Sequence, residues 1–179
     1  MSDTHRPSLV TLPVELVYHI LDSLDILTIL ISFRNVCTRL NQIIDNYKRY
    51  QTCTKLDLTH EKLNEGKCYG LINGLRNNQT LTELHLRCKK IDDQQTCYLT
   101  DVLQKNITLK ILILSNNNIA NEGAQYLADM LKQNQTLRTL VLSENKIDSD
   151  GVKYLANALE MNKVKDRFHM ITQSLSYII

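Results

Sequence analysis

Apolar and polar positions recur along most of this chain at a fixed offset of 28. The repeated asparagines show the offset, from Asn78 to Asn106 (106 minus 78) and again from Asn106 to Asn134. Each block has two leucines separated by one residue, and this alternation predicts a β-strand. The leucine pairs are Leu56/Leu58, Leu84/Leu86, Leu112/Leu114 and Leu140/Leu142. Apolar residues at helical spacing follow in each block, as between Ala124 and Leu131. A strand and a helix in every block predict parallel strands side by side, with the helices outside.

Four such blocks fill residues 50–161 without insertion or deletion. Their shared pattern, NxTLxxLxLSxNxIxxxGxxxLAxxL, resembles the leucine-rich repeat. The length of the block and its GAQYLADML-type helix resemble the ribonuclease-inhibitor-like subclass of this family. The resemblance implies a short α/β solenoid with parallel strands on the concave face and helices on the convex face.

Repeated asparagines and glycines have structural roles in this interpretation. The resemblance implies that Asn117 and Asn145 turn inward and bond backbone carbonyls of neighbouring turns, since a buried bend needs such a partner. Glu61 and Lys89 take this place in the first two blocks, so we expect the asparagine ladder to be broken there. Gly123 and Gly151 recur where the loop enters the helix, and we expect a special backbone conformation or a close approach rather than a phosphate loop.

Three N-glycosylation tripeptides begin at Asn78, Asn106 and Asn134, one in each regular block. Because each follows a predicted helix, we expect the asparagine to end the helix in a left-handed conformation. The tripeptide therefore indicates the joint between a helix and the next strand. The chain start shows no export signal, which is in keeping with this interpretation.

Residues before Tyr50 do not follow the period and predict three short helical segments. The stretch LPVELVYHILDSLDILTILISFRNVCTRLNQII resembles an F-box, although Leu40 stands where that family usually has Trp. The residues that match the family pattern are Leu12, Pro13, Glu15, Leu16, Ile20, Leu21, Leu24, Asp25, Leu27, Val36, Cys37 and Arg39. We expect a flexible N-terminus at residues 1–10, a three-helix F-box at 11–48, the repeats at 50–161 and an irregular tail or cap at 162–179.

The F-box resemblance implies a partner and a pathway. F-box proteins dock onto the Skp adaptor of the SCF cullin-RING ubiquitin ligase, and a following repeat domain holds the protein substrate. The expected adaptor contacts are Leu12, Pro13, Glu15, Ile20, Leu24, Ile26, Leu27 and Leu30. Packing inside the small helical bundle is the alternative role for these same apolar residues.

Strand residues beside the buried leucines point to the concave face, because side chains alternate along a strand. In the first two repeats this face is charged, and in the last two it is largely apolar. The expected substrate-binding residues are Asp57, His85, Arg87, Ile111, Ile113 and Val141. Ordinary strand propensity is the other explanation of the apolar ones.

The rest of the composition excludes several classes of function. A net charge of +2, from 21 basic and 19 acidic residues, leaves no footprint for nucleic acid or an anionic membrane. The longest apolar run, Ile26 to Phe33, is shorter than the ~20 residues that a bilayer crossing needs. Five cysteines without a CxxC pair, and the absence of HExxH, GxSxG or Walker motifs, predict no metal, no cofactor and no active site. We expect a non-catalytic protein of the cytoplasm or nucleus.

Two other functions stay open at this point. Similar repeats occur in ribonuclease inhibitors and in the Ran GTPase-activating protein, so an enzyme regulator is one alternative and a plain scaffold is another.

After Met161 the repeat pattern fails. Phe168, Ile171, Leu175 and Ile178 are spaced as in a helix that covers the last repeat. Alternatively, the chain is a shortened form of a longer repeat protein.

Overall fold

The computed structural model describes residues 11–33, 37–162 and 168–172. Its first part, here called the N-terminal unit, is built from short helices. These are α1 (Val14–Asp22), α2 (Ile26–Thr28) with a π-helical turn (Ile29–Phe33), α3 (Thr38–Asn46) and α4 (Lys48–Gln51). The three predicted helical segments are present, and α4 is an additional turn that the periodicity did not predict. Residues 1–10 and Val36 of the F-box pattern lie outside the described residues.

The second part is a solenoid of alternating strands and helices with one parallel sheet. Its strands are β1 (Lys55–Asp57), β2 (Glu83–His85), β3 (Ile111–Ile113), β4 (Thr139–Val141) and β5 (His169–Ile171). Its helices are α5 (Glu65–Leu75), α6 (Asp93–Leu103), α7 (Asn121–Gln133) and α8 (Ser149–Met161). The strands pair in chain order, with Leu56 opposite Leu84, Leu84 opposite Leu112 and Leu112 opposite Leu140. This register confirms the predicted period from β1 to β4.

Strand β5 corrects the prediction for the tail. Leu140 pairs with Met170, so the offset from β4 to β5 is 30 (170 minus 140), whereas Leu112 to Leu140 is 28 (140 minus 112). The helical spacing through Ile171 is therefore misleading, because His169–Ile171 extends the sheet as a strand. Leu175 and Ile178 lie outside the described residues. The described part of the tail thus covers the edge of β4, as a terminal cap would.

One continuous apolar core joins the two parts of the molecule. The inward leucines of the strands, such as Leu84, Leu112 and Leu140, have no exposed surface. Where the parts meet, α5 presents Gly70 and Gly74 to the π-helical turn. Because neither glycine has a side chain, Gly70 makes room for the Ile31 side chain and Gly74 for the Leu30 backbone, and the N-terminal unit rests directly on the first repeat.

The predicted asparagine ladder is confirmed in the last two repeats. The Asn117 side-chain amide donates to the carbonyls of Leu86 and Leu114, both at 2.9 Å. Its oxygen accepts the Lys89 N–H at 2.8 Å. Asn145 repeats this pattern one turn later, donating to the Leu114 carbonyl at 2.8 Å. Each asparagine therefore satisfies backbone groups of two adjacent turns.

Lys89 overturns the expectation that this ladder is broken at the second repeat. Its side chain is buried, and its ammonium donates to the backbone carbonyls of Thr59 at 3.0 Å and Glu61 at 2.5 Å. Burial lowers the pKa of Lys89, because the charged form loses hydration. Glu61 provides only its backbone carbonyl to this contact. The ladder thus continues to the first repeat through an ammonium group instead of an amide.

The asparagines of the glycosylation tripeptides form a second ladder, at the other end of the strands. The Asn134 oxygen accepts the N–H groups of Thr136 and Leu137, both at 2.8 Å. Its amide donates to the carbonyls of Leu103 at 2.7 Å and Asn106 at 3.1 Å. Asn78, Asn106 and Asn134 are all buried. The predicted left-handed conformation is wrong, since Asn134 has φ −72° and ψ 123°, and hydrogen bonding is the reason for asparagine here.

A close approach explains the glycines at the helix entries. A Cβ on Gly123 would lie 2.5 Å from Oδ1 of Asp93, and one on Gly151 would lie 2.5 Å from Oδ1 of Asn121. Asp93 Oδ1 accepts the Ala120 N–H at 2.7 Å, so this oxygen is held in place. Neither glycine has a positive φ, which leaves space rather than backbone freedom as the requirement.

Candidate protein-interaction surfaces

Helix α1 has two apolar stripes that lie about 100° apart around its axis. Val17 and Leu21, four residues apart, have no exposed surface and face the core. Leu16 lies beside this core-facing stripe and is 48% exposed, while Ile20 is half-buried. We call Leu16 and Ile20, together with Leu12 before the helix and Leu24 after it, the outer stripe; Leu12 and Leu24 are partly buried against the core. Leu16 was not among the predicted adaptor contacts, although its exposure is the greatest in this stripe.

The other predicted adaptor contacts divide between surface and core. Pro13 and Glu15 are exposed at the start of α1, and Ile26 and Leu27 of α2 are half-buried. Leu30 is only 1% exposed, and its backbone carbonyl faces Gly74 of the first repeat. Leu30 therefore packs internally and offers no surface to a partner.

Hydrogen bonds from α3 and α4 fix both ends of the outer stripe. The Arg39 guanidinium donates to the Leu12 carbonyl, and the Arg49 guanidinium donates to the Leu24 carbonyl at 2.8 Å. The Tyr47 hydroxyl donates to Oδ1 of Asp22, which ends α1, at 2.6 Å. The outer stripe is thus presented by a braced helix.

The first two strands of the concave face carry a chain of paired charges. Lys55 Nζ lies 2.8 Å from Glu83 Oε1, and the same oxygen lies 2.5 Å from His85 Nε2. The other imidazole nitrogen of His85 lies 3.1 Å from Asp57 Oδ2. The structure therefore brings the predicted residues Asp57 and His85 together in one network.

The carboxylates of this network are stabilised in their charged form. Hydrogen bonds from the hydroxyl and the N–H of Thr59 hold the pKa of Asp57 at about 2. The hydrogen bond from Lys55 lowers the pKa of Glu83, and the same contact raises the pKa of Lys55. Lys55 offsets one of the two carboxylate charges, so this end of the face is polar.

The remaining strands give the concave face an apolar end. The predicted residues Ile111, Ile113 and Val141 are all half-buried there. Ile171 of β5 joins their row, since it pairs with Val141, and it is 53% exposed. The longer offset before β5 hid this position from the repeat pattern, and the continued asparagine period at Asn162 was the available signal.

A cluster of polar side chains lies beyond the strand ends of the same face. Arg87 follows β2, and its guanidinium Nη2 lies 3.6 Å from Oε1 of Glu144, which follows β4. Ser115 and Ser143 are in the row of Arg87 on the neighbouring repeats. Ser143 is half-buried, whereas Ser115 is 5% exposed. Arg87 was the predicted residue here, and the serines and Glu144 were not.

Other chemistry is sparse in the described part of the chain. None of its helices combines the length and the apolarity that a bilayer crossing requires. Across residues 11–33, 37–162 and 168–172, no group of three or more His, Cys, Asp or Glu side chains is placed to hold a metal ion. All five cysteines are free thiols.

Family models match both parts of the chain. Residues 9–52 match the F-box domain, and residues 77–94, 105–128 and 133–156 match the Leucine Rich repeat. These matches agree with the two resemblances that the sequence motifs indicated. No curated protein matches the chain significantly.

Solved structures share the fold of the chain at low sequence identity. The structure described as leiomodin-1 actin-binding site 2 has a TM-score of 0.62 and 16% identity, covering 96% of this chain and 83% of its own. The tropomodulin C-terminal domain of Caenorhabditis elegans also has a TM-score of 0.62, with 14% identity and coverage of 75% and 82%. At this identity the likeness concerns the leucine-rich-repeat fold alone.

Proposed function

The chain is an F-box protein with leucine-rich repeats, and from this premise we propose that it is the substrate-recognition subunit of an SCF-type cullin-RING ubiquitin ligase. F-box domains generally bind the Skp adaptor, and leucine-rich repeats generally bind proteins. The combination makes the chain an interaction protein in which the two ends have different partners. In this proposal the F-box recruits adaptor and cullin, and the repeats hold the substrate.

The exposed outer stripe of α1 is the observation that carries the proposal. Within the outer stripe Leu16 is 48% exposed, and it lies next to the half-buried Ile20 on α1. Contiguous apolar surface on a braced element is typical of a protein-binding site. Pro13, Glu15, Ile26 and Leu27 adjoin this stripe in the chain and retain exposed surface, so they complete the proposed adaptor contact.

The direct contact between F-box and repeats supports a role in positioning a substrate. Only a few residues, the turn of α4 and Thr52 to Thr54, connect the two parts. At Gly74 the backbone of α5 meets the Leu30 carbonyl of the π-helical turn directly, and at Gly70 it meets the Ile31 side chain. A protein held on the concave face therefore has a fixed position relative to the adaptor.

The cytoplasm or the nucleus is the proposed location of this function. Burial of Asn78, Asn106 and Asn134 supports it, because the folded repeat encloses these side chains and leaves no room for a bulky sugar. Each of these amides is also engaged in hydrogen bonds to backbone or side-chain groups.

Adaptor binding by purified protein tests the proposal. We expect Leu16→Lys to weaken binding of the Skp adaptor by about tenfold or more, since a charge replaces an apolar contact. Ile107→Lys is the matched control, because Ile107 is 76% exposed but lies in the repeats, after α6. Equal binding by wild type and Leu16→Lys would contradict the proposed contact. A wild-type chain that binds no adaptor would favour an enzyme regulator or a scaffold instead.

A further inference from the structure

We infer that the strand ends of the concave face bind an acidic side chain of the protein that the repeats hold. The site consists of Arg87, Ser115, Ser143 and Glu144, with Ile113 beside it on β3. The inference rests on the part of the proposed function that assigns a protein ligand to the repeats. It does not depend on adaptor binding.

The ion pair of this site joins repeats that are not neighbours. Arg87 belongs to the second repeat and Glu144 to the fourth, so their contact crosses the third repeat, which carries Ser115. The side chains of Arg87 and Glu144 are 48% and 40% exposed, and their atoms are 3.6 Å apart. Solvent screens such a pair and makes it weak. A carboxylate from a partner can therefore take the place of Glu144.

Ser115 provides an independent indication of a ligand. It is 5% exposed, yet within the described residues its hydroxyl makes no hydrogen bond. The backbone carbonyl of Ser115, by contrast, accepts the Cys88 N–H at 3.2 Å. Buried hydroxyl groups in proteins usually have a hydrogen-bond partner. A polar group that approaches between Arg87 and Glu144 would supply one.

The hydrogen-bond donors of this site suit a carboxylate ligand. A guanidinium donates two parallel hydrogen bonds to a carboxylate, and serine hydroxyls can add further donors. Neighbouring parallel strands are about 4.8 Å apart, so Arg87, Ser115 and Ser143 form a short row of such donors. Glu144 already places one carboxylate beside Arg87, which indicates the kind of group that the Arg87 guanidinium binds.

The apolar end of the concave face defines what accompanies the acid. Ile113 and Val141 precede Ser115 and Ser143 by two residues on the same face. Ile171 continues their row on β5. The bound segment is therefore expected to carry an aspartate or glutamate next to apolar side chains, with the acid over the strand ends and the apolar groups over the strands.

Selection of peptides from a random display library on the full chain tests this inference. We expect the recovered peptides to be enriched in Asp or Glu adjacent to Leu, Ile, Val or Phe. Synthetic copies should bind Arg87→Gln about tenfold more weakly and Ser115→Ala more weakly by a smaller factor. Glu144→Gln removes the internal competitor and should bind them about two- to fivefold more tightly, a gain that an unfolded variant could not show.

Arg76→Gln is the matched control for Arg87→Gln. Arg76 is also about half exposed and pairs with a carboxylate, that of Asp101 at 3.2 Å, but it lies on the helical side. The inference is overturned if no peptide is recovered, if the peptides lack acidic residues, or if Arg87→Gln and Arg76→Gln bind them equally. Adaptor binding by the same variants is measured in parallel. Absence of adaptor binding by the wild type would argue against the ligase proposal, and its retention with a failed selection would argue against this site alone.

Discussion

Gly74 in the first repeat lies directly against the carbonyl of Leu30 in the F-box. A Cβ built on Gly74 would be 2.6 Å from the Leu30 oxygen and 3.3 Å from the Leu30 Cβ. Backbone cannot move aside as the end of a side chain can, so only glycine fits at this position. The F-box and the repeats therefore pack directly on each other at a position that has no side chain.

Gly74→Ala is expected to lower the free energy of unfolding by about 1–3 kcal/mol, because overpacking at this contact must shift the two parts. Urea denaturation of the full chain measures the change. Gly66→Ala on the same helix is the control, since the nearest atom to its new Cβ is Asn64 Oδ1 at 3.8 Å. That substitution should stabilise the chain by about 0.5 kcal/mol through helix propensity. Opposite signs for the two variants are the predicted result, and equal signs would contradict the account of the junction.

Asn134→Ala is expected to destabilise the chain by about 3 kcal/mol, since the buried Leu137 N–H, the part-buried Thr136 N–H and two carbonyls lose their partner. Chemical denaturation gives this difference directly. The control is Asn118→Ala, because Asn118 is exposed and its backbone N–H still donates to the Ile91 carbonyl. A change within about 0.5 kcal/mol is expected there. Sugar found on Asn134 of the native protein would show that the ladder explanation is wrong.

Lys89→Met is expected to loosen the turn after β1, because the carbonyls of Thr59 and Glu61 lose a charged donor. We expect a loss of about 1–2 kcal/mol, since relief from burying a charge offsets part of the lost hydrogen bonding. Hydrogen exchange of a peptide that spans residues 55–63 reports the effect locally. Lys90→Met is the control, as Lys90 is the exposed lysine beside it. Similar exchange in both variants would remove Lys89 from the ladder.

The pH dependence of stability should report the hydrogen bonds of Asp57. Its folded pKa is about 2, below the ordinary value of 3.8. The folded state therefore binds fewer protons than the unfolded state between these values, so this contribution is complete above about pH 4 and is lost as the pH falls through about 2. Allowing for solvent screening, we expect about 1 kcal/mol. Denaturation midpoints of wild type and Asp57→Asn should converge over this range, and parallel curves would disprove the assignment.

The repeat period predicted most of the fold because it is a local property of the chain. Leu84, Leu112 and Leu140 follow one another at a constant interval, and their alternation alone sets which side of the strand faces the core. The concave positions of His85 and Val141 follow from the same rule. Strand β5 was missed because its offset is longer and Met170 replaces the usual leucine.

The remaining errors concern contacts between parts of the chain that are distant in sequence. Whether Leu30 faces a partner or the first repeat depends on Gly70 and Gly74, which lie far along the chain, and no periodicity relates them. Lys89 looked like an interruption because its reach to the carbonyls of the previous turn is a property of the stacked repeats. Ser115 became noticeable only when its burial and the crossing ion pair were known.

The most direct test of the ligase proposal is recovery of the Skp adaptor and cullin by the wild-type chain and by a Leu12→Ala, Pro13→Ala double variant. Both residues lie at the start of the outer stripe, where Arg39 holds the Leu12 carbonyl. We predict that wild type recovers both partners and that the double variant, with an unchanged thermal melting curve, recovers much less. Equal recovery by the two proteins, or no recovery by either, would contradict the claim that this chain is a subunit of an SCF-type ubiquitin ligase.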